Sequence, residues 1–271
     1  MHEGIDILAT QRDRRGEPSD EVTASASGEV AYVSRRPALS NYGNYVVLRH
    51  RIEGLEVFTL YAHLASIAAE VKPGSRIGAG DRLGVMGRST NTRSPIAKDR
   101  AHLHFEIDLL LNERFSAWLK KREPEVRDDH GPWNGRNLAG LDPAEILRQQ
   151  SAAGNRFSLL EYLRNRPALC RVLIPDTSFP WLRRYAPLIR RNATAEREGI
   201  VGYELALDFN GVPFQAIPRA RSEIQGPVAV RLLSVDEQVQ RDHPCRKLVF
   251  KKGQTWTLTA KGSELIDLLT Q

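Results

Sequence analysis

The sequence predicts a mainly β domain at the front of the chain, followed by helices and a smaller α+β unit. Three observations carry this. Over residues 1–111, short runs rich in β-branched and aromatic residues (Glu29 to Val33, Tyr45 to Arg49, Val57 to Tyr61, Leu103 to Ile107) alternate with Gly, Pro and Asn turns. Glycine is dense in the same stretch, and VKPGSRIGAGDRLGVMG sets single apolar residues between turn residues, which predicts tight hairpins on a small barrel or sandwich. From about Glu113 to Lys121 the pattern changes to that of a helix, with Phe115, Trp118 and Leu119 among charges.

The later elements follow in order. Asp142-Pro143 supplies an N-cap and a first helical residue, opening a helix to about Gln150. SAAGN reads as a short linker, so the chain divides into residues 1–150, with a helical extension from about 112, and residues 155–271. In the second unit FSLLEYLRN is a helix, VGYELALDF and GPVAVRLLSV are strands, and KLVFKKGQTWTLT is a hairpin turning at Lys252-Gly253. SELIDLL closes the chain as a helix with Ser263 as its N-cap.

With 41% hydrophobic and 27% charged residues, the 271-residue chain has the composition of a soluble globular protein. The formal net charge of +6 favours anionic partners without choosing among envelope polymers, nucleic acid and acidic peptides. No run approaches the roughly 18 apolar residues that a membrane span needs. Nor does MHEGIDI open as a secretory signal, with its basic head and apolar run. Cys170 and Cys245 are too few for a disulfide framework and match no zinc spacing, though a single bridge between them is compatible with the sequence.

Chemistry concentrates in two short motifs. If His2-Glu3-Gly4-Ile5-Asp6 is a strand, period-2 geometry puts His2, Gly4 and Asp6 on one face, with Gly4 leaving room for an ion between two donors. In His102-Leu103-His104-Phe105-Glu106 the same alternation sets His102, His104 and Glu106 on one face and buries Leu103 and Phe105 on the other. A catalytic zinc takes three protein ligands and keeps a fourth position for water. His2, Asp6 and one histidine of the HLH pair satisfy that number. The other histidine and His63 are then left for proton transfer and oxyanion stabilisation.

Taken in order, HEGID, YGNYVVLRH, TLYAHL, VKPGSRIGAGDRLGVMG and HLHFEI resemble the successive motifs of lysostaphin/LytM-type zinc metallopeptidases, over residues 2 to about 108. The resemblance implies a barrel-sandwich hybrid of duplicated motifs, with an open antiparallel groove and one Zn2+ on its floor. It implies His2, Asp6 and His104 as the metal ligands, and His63 and His102 as the catalytic pair. It further implies endopeptidase action on peptidoglycan cross-links or stem peptides in the periplasm or cell envelope, with no nucleic-acid partner. A ligand at position 2 then leads to the expectation that the sequence is a fragment or starts from an internal Met, with a signal and leading strands upstream.

The sequence departs from the family pattern at RSTNTRSPIAKDRA, between Gly87 and His102. This longer loop should border the groove, where Asn91 and Arg93, with Lys98 and Arg100, would tune substrate choice. His50, His130 and His243 read as structural or loop histidines, Glu106 as a partner behind the metal, and Arg183, Arg184, Arg190 and Arg191 as a solvated helix face. Three rival functions compete: a non-catalytic module activating another wall hydrolase, a non-haem iron oxygenase, and a biotinyl-type carrier. The filled catalytic positions weigh against the first. Idle His63 and His102 weigh against the second, and the lack of a modifiable Lys at a hairpin tip against the third. Residues 155–271 match no nameable pattern and could contact other envelope components.

Overall fold

The computed structural model describes residues 4–244 and 247–271. The expected ligand His2, its neighbour Glu3 and Cys245 fall outside these residues; Cys170 is a buried thiol. The strands of the first half are β1 (Ile5–Leu8), β2 (Glu21–Thr23), β3 (Gly28–Ser34), β4 (Tyr45–Ile52), β5 (Leu55–Ala62), β6 (Ser66–Ile67), β7 (Arg76–Ile77), β8 (Arg82–Val85), β9 (His102–Leu110) and β10 (Leu138–Gly140). Each of the four strands expected from composition is present and longer than its apolar run. Ladder pairing carries it into polar residues at its ends.

The main sheet runs β1-β9-β5-β4-β3-β7, with β10 also on β9, and all its pairs are antiparallel. Among the described residues it is open at both ends and forms no closed barrel. A smaller sheet, β2-β8-β6, packs beside it. The glycine-rich segment differs from the hairpins expected of it. Its strands β7 and β8 join different sheets, and the connection is a turn in which Gly78 N–H donates to Asp81 Oδ2 and Gly80 takes φ +85°.

Alternation gives the main sheet two distinct faces. Val46, Leu48, Tyr61, Leu103, Phe105, Ile107 and Leu109 point into the large core, while Tyr45, Val47, Phe58, Leu60, Ala62 and Leu110 form a second apolar patch on the opposite face. His102, His104 and Glu106 share that second face, as their spacing on β9 requires.

Helix α1 (Phe115–Arg122) follows the sheet, and α2 (Pro143–Ala153) starts where expected, Asp142 Oδ1 accepting from Glu145 N–H at 2.9 Å. The segment SAAGN is not an open linker: α2 continues through Ala153 and a 3-10 turn, Gly154–Arg156, follows. Beyond lie α3 (Leu159–Arg164), β11 (Cys170–Ile174), α4 (Pro180–Arg184), α5 (Ala193–Glu198), β12 (Gly202–Leu207), β13 (Pro213–Arg219), β14 (Arg231–Val235), α6 (Glu237–Asp242), β15 (Val249–Lys252), β16 (Thr255–Leu258) and α7 (Ala260–Thr270). They build an antiparallel sheet, β13-β12-β11-β14, and the expected hairpin, β15-β16. Its two turn residues are Gly253 and Gln254, one position later than expected. The last helix is capped by Thr259, whose Oγ1 accepts from Gly262 N–H, and Ser263 lies inside it. The less apolar first turn had hidden the true start.

These later elements are tied to the first sheet. Tyr185 Oη accepts from Leu110 N–H at 2.8 Å, and Asn112 Nδ2 donates to Leu268 O at 2.6 Å. Arg184 is not solvated as expected of it: it is mostly buried and pairs with Glu56 and Glu113. The fold is therefore mainly β with antiparallel sheets and added helices, as the sequence predicts, and among the described residues no helix is long and apolar enough to cross a membrane.

Candidate metal centre and catalytic cleft

Strand pairing assembles the centre. β1 lies antiparallel to β9 with Asp6 opposite His104 and Leu8 opposite His102, so the Asp6 carboxylate stands between the two imidazoles. Asp6 Oδ1 is 3.1 Å from His104 Nδ1 and 3.4 Å from His102 Nε2. Gly4 is also required by its close approach to β9: its φ is +80°, and a Cβ there would stand 2.3 Å from the Phe105 carbonyl oxygen and 2.7 Å from Glu106 Cγ.

His63 follows β5, whose Ala62 pairs with His104. Regular alternation would send His63 to the core side with Tyr61. Instead its backbone takes φ +60°, an uncommon conformation for a side-chain-bearing residue. The turn is held by His63 N–H donating to Tyr42 O at 2.9 Å. The ring then faces His102 with centroids 4.9 Å apart and His104 with centroids 5.9 Å apart.

Backbone carbonyls set the tautomers. His63 Nδ1–H donates to Ser89 O at 2.8 Å, and His102 Nδ1–H donates to Arg100 O at 2.7 Å. In the neutral form both rings therefore carry their lone pair on Nε2. Burial lowers the pKa of His63 to about 4, keeping it neutral over the usual working range. Both anchoring carbonyls come from the long segment between Gly87 and His102. That segment is itself pinned by Arg88 and Lys98 on Glu17, a carboxylate these two cations hold down at about 2.

His104 is oriented from behind. Its Nε2–H donates to Glu106 Oε1 at 2.6 Å, and the Tyr42 hydroxyl donates to the same oxygen at 2.9 Å. Burial, then Glu106, raises the Tyr42 pKa well above the usual tyrosine value, so the hydroxyl stays a donor. Burial works against charging His104, but Glu106 and Asp6 outweigh it, and its pKa is raised. A neutral His104 with Nε2–H on Glu106 turns its Nδ1 lone pair to Asp6.

This is how the residues present fit zinc. Bonds of about 2.0–2.1 Å in a tetrahedron place neighbouring ligand atoms roughly 3.3–3.4 Å apart, a spacing near both the 3.1 Å from Asp6 Oδ1 to His104 Nδ1 and the 3.4 Å from Asp6 Oδ1 to His102 Nε2. A histidine whose other nitrogen donates to a carboxylate is also the usual setting of a metal ligand. Among the described residues there is no group of three potential ligands; His2, the third ligand that the motifs imply, lies outside them.

The site opens into a cavity of about 650 Å³ lined by His63, His104, Glu106 and Tyr42 on one side and by His130, Asn134, Gly135 and Arg136 on the other. Asn91 lines it too, whereas Arg93 is exposed on the same loop, outside the lining set. His50 is structural as expected, buried between Ser27 O and Thr59 Oγ1. His243 stacks on Phe209. His130 was missed: a loop residue by sequence, it is buried against Tyr32 and Tyr45 at the cavity wall. The neighbouring DDHGPWNGRN carries Gly, Pro and a lone Trp, a signal of an ordered loop but not of its destination.

Asp108, next along the same face of β9, is fully buried beside Glu106. Burial first, and Glu106 second, push its pKa well above the usual carboxylate value. Asp108 is therefore harder to ionise in the folded chain than in the unfolded one, where it ionises above about pH 4, so its contribution to stability falls as pH rises from there. Asp108→Asn, uncharged in both states, should raise the thermal midpoint at pH 7, with the advantage vanishing near pH 4. A lower midpoint at pH 7 would mean that the ionised carboxylate is specifically held.

Comparison with known proteins agrees with the motif order. Residues 1–115 match Peptidase family M23. Among solved structures, the chain is similar to lytM from Ruminococcus gnavus, with 24% identity over 56% of this chain and 47% of that one and a TM-score of 0.36. It is similar also to the catalytic domain of the antimicrobial peptidase lysostaphin from Staphylococcus simulans, with 26% identity over 40% and 66% and a TM-score of 0.29. A zinc containing peptidase from Vibrio cholerae aligns at 21% identity over 39% and 35%, with a TM-score of 0.26. The chain thus spans about half the length of the first of these, 47%. With the strand-borne histidines and aspartate in the order that the five motifs implied, residues 1–115 are what matches peptidase family M23.

Proposed function

We propose that the protein is a zinc-dependent endopeptidase that hydrolyses peptide bonds in peptidoglycan cross-links or stem peptides, working outside the cytoplasm in the bacterial envelope. The observation that carries this is the convergence of Asp6, His102, His104 and His63 at one cleft, with both outer imidazoles locked by backbone carbonyls. His2, Asp6 and His104 would hold the metal, which when bound supplies Lewis acidity toward the scissile carbonyl and toward water. His63 and His102 present Nε2 lone pairs, so this pair takes the proton of the attacking water and returns it to the leaving amine. The ring that takes this proton carries an Nε2–H, which donates to the developing oxyanion until the proton passes to the leaving amine. Asn91 on the cleft rim and Arg93 beyond it would contribute to substrate choice. We assign peptidase chemistry to residues 1–150, with 112–150 as a helical extension, and treat 155–271 as an α+β unit that could contact other envelope components.

The test is digestion of purified peptidoglycan by the zinc-loaded protein beside chelator-stripped protein, with products identified by mass spectrometry. New amino termini formed only by the loaded protein are expected, and they name the bond. Bound zinc with no released peptide would favour the second reading, a non-catalytic module that activates another wall hydrolase.

A further inference from the structure

Residues 130–136 lie beyond the part of the chain matched to the family, yet His130, Asn134, Gly135 and Arg136 line the cleft. This wall is anchored at several points. His130 Nε2–H donates to Leu39 O at 3.1 Å while its Nδ1 accepts from the Tyr32 hydroxyl at 2.9 Å. The Tyr45 hydroxyl donates to Trp133 O at 3.2 Å. Arg136 Nη2 donates to Glu123 and Glu264 at 2.6 and 2.8 Å. Between these anchors sits Gly135, where a Cβ would stand 2.7 Å from the Tyr42 hydroxyl and 3.1 Å from its ring. The obstacle to a larger residue at 135 is therefore Tyr42.

Tyr42 has little freedom to give way. Its ring stacks on His104 at 5.7 Å and lies against Tyr45 at 5.3 Å. Its hydroxyl and His104 Nε2–H both donate to Glu106 Oε1. Two donors on one oxygen hold the carboxylate against rotation about its broad terminal torsion. The carboxylate in turn fixes the plane of the His104 ring, and with it the direction of Nδ1.

We propose that residues 130–136 are a positioning element for the metal-binding histidine, with Gly135 seating Tyr42, Tyr42 holding Glu106, and Glu106 fixing the His104 ring. The inference rests on the reading of His104 as a zinc ligand. It extends the metal centre to a segment that the family match does not include. Tyr42 and Gly135 are positioning residues: Gly135 acts through Tyr42, and Tyr42 acts on the His104 ring through Glu106 and through its own stacked ring.

The test measures zinc affinity of the full chain by chelator competition, and the thermal midpoint of the metal-free protein, for wild type, Tyr42→Phe, Gly135→Ala and the double variant. Outer partners of a metal ligand typically contribute about 10–100-fold in affinity, and each single variant should lose an amount of that order. The double variant should bind about as weakly as Tyr42→Phe alone, because the 2.7 Å contact is with the hydroxyl that phenylalanine lacks, and the 3.1 Å ring contact that remains calls only for a small shift. Tyr42→Phe keeps the ring and leaves the wall untouched, so it tests the inner contacts even if Gly135→Ala folds poorly. Unchanged zinc affinity in Tyr42→Phe, or losses that simply add in the double variant, would overturn the proposal. A wild type that binds zinc but cleaves nothing would remove the proposed peptidase function and leave this inference standing. A wild type that binds no zinc would remove both.

Discussion

His63→Ala and His102→Ala should each lower the rate of peptide hydrolysis by about 10²–10⁴-fold while zinc remains bound. The expectation follows from where each ring is anchored. Both hold their Nδ1–H on backbone carbonyls, Ser89 O and Arg100 O, which leaves the lone pair of each neutral ring on Nε2. Neither substitution removes a strand contact of β9 or β5, since His63 follows the last strand residue and His102 begins β9 at its partly exposed end. The measurement pairs steady-state rates on a defined cross-link peptide with zinc content by atomic emission. Loss of zinc in either variant would mean that the histidine is a ligand, and the roles within the HLH motif would have to be exchanged. Rates near wild type would leave the cleft without a proton carrier and sink the mechanism.

Asp6→Ala and His104→Ala should behave differently, losing both metal and activity. Each removes a ligand rather than its support, so the fall in zinc affinity should exceed the roughly 100-fold typical of an outer partner. His104→Ala should also affect the fold. It leaves Glu106, buried at 1% exposure, without the imidazole N–H that it accepts, and a buried carboxylate deprived of a donor is costly. Asp6 sits on a largely exposed strand, so its loss should spare the metal-free thermal midpoint. Titration with zinc, followed by the midpoint of the apo- and loaded forms, separates the two effects. If Asp6→Ala retained wild-type affinity, the β1 aspartate would not be a ligand.

How much of this was legible beforehand varies with how local the physics is. The β character of residues 1–111, the period-2 facing of His102, His104 and Glu106, and the cap at Asp142 depend only on neighbours within a few positions. Those readings hold. The Ser263 cap failed for an equally local reason, because Thr259 offers its hydroxyl to the true first turn. Strand partners were not legible: nothing in VKPGSRIGAGDRLGVMG says that its two short strands pair with β3 in one sheet and with β2 and β6 in another.

By itself the sequence determined the identities and order of the candidate groups Asp6, His63, His102 and His104, the shared strand face of the two β9 histidines, and a mainly β fold to carry them. Tertiary structure decided what each of these groups is. A left-handed backbone at His63 re-aimed a ring that alternation would have buried with Tyr61, and burial took its pKa down to about 4. A rate limb near pH 6, expected of an ordinary histidine base, is therefore not to be assigned to His63. Only the folded chain set Gly4 against Glu106 and brought His130 and Gly135 to the cleft from a loop far along the sequence. Identity and spacing are properties of the chain, but desolvation, tautomer and close approach arise from what packs alongside, and those neighbours come from distant residues.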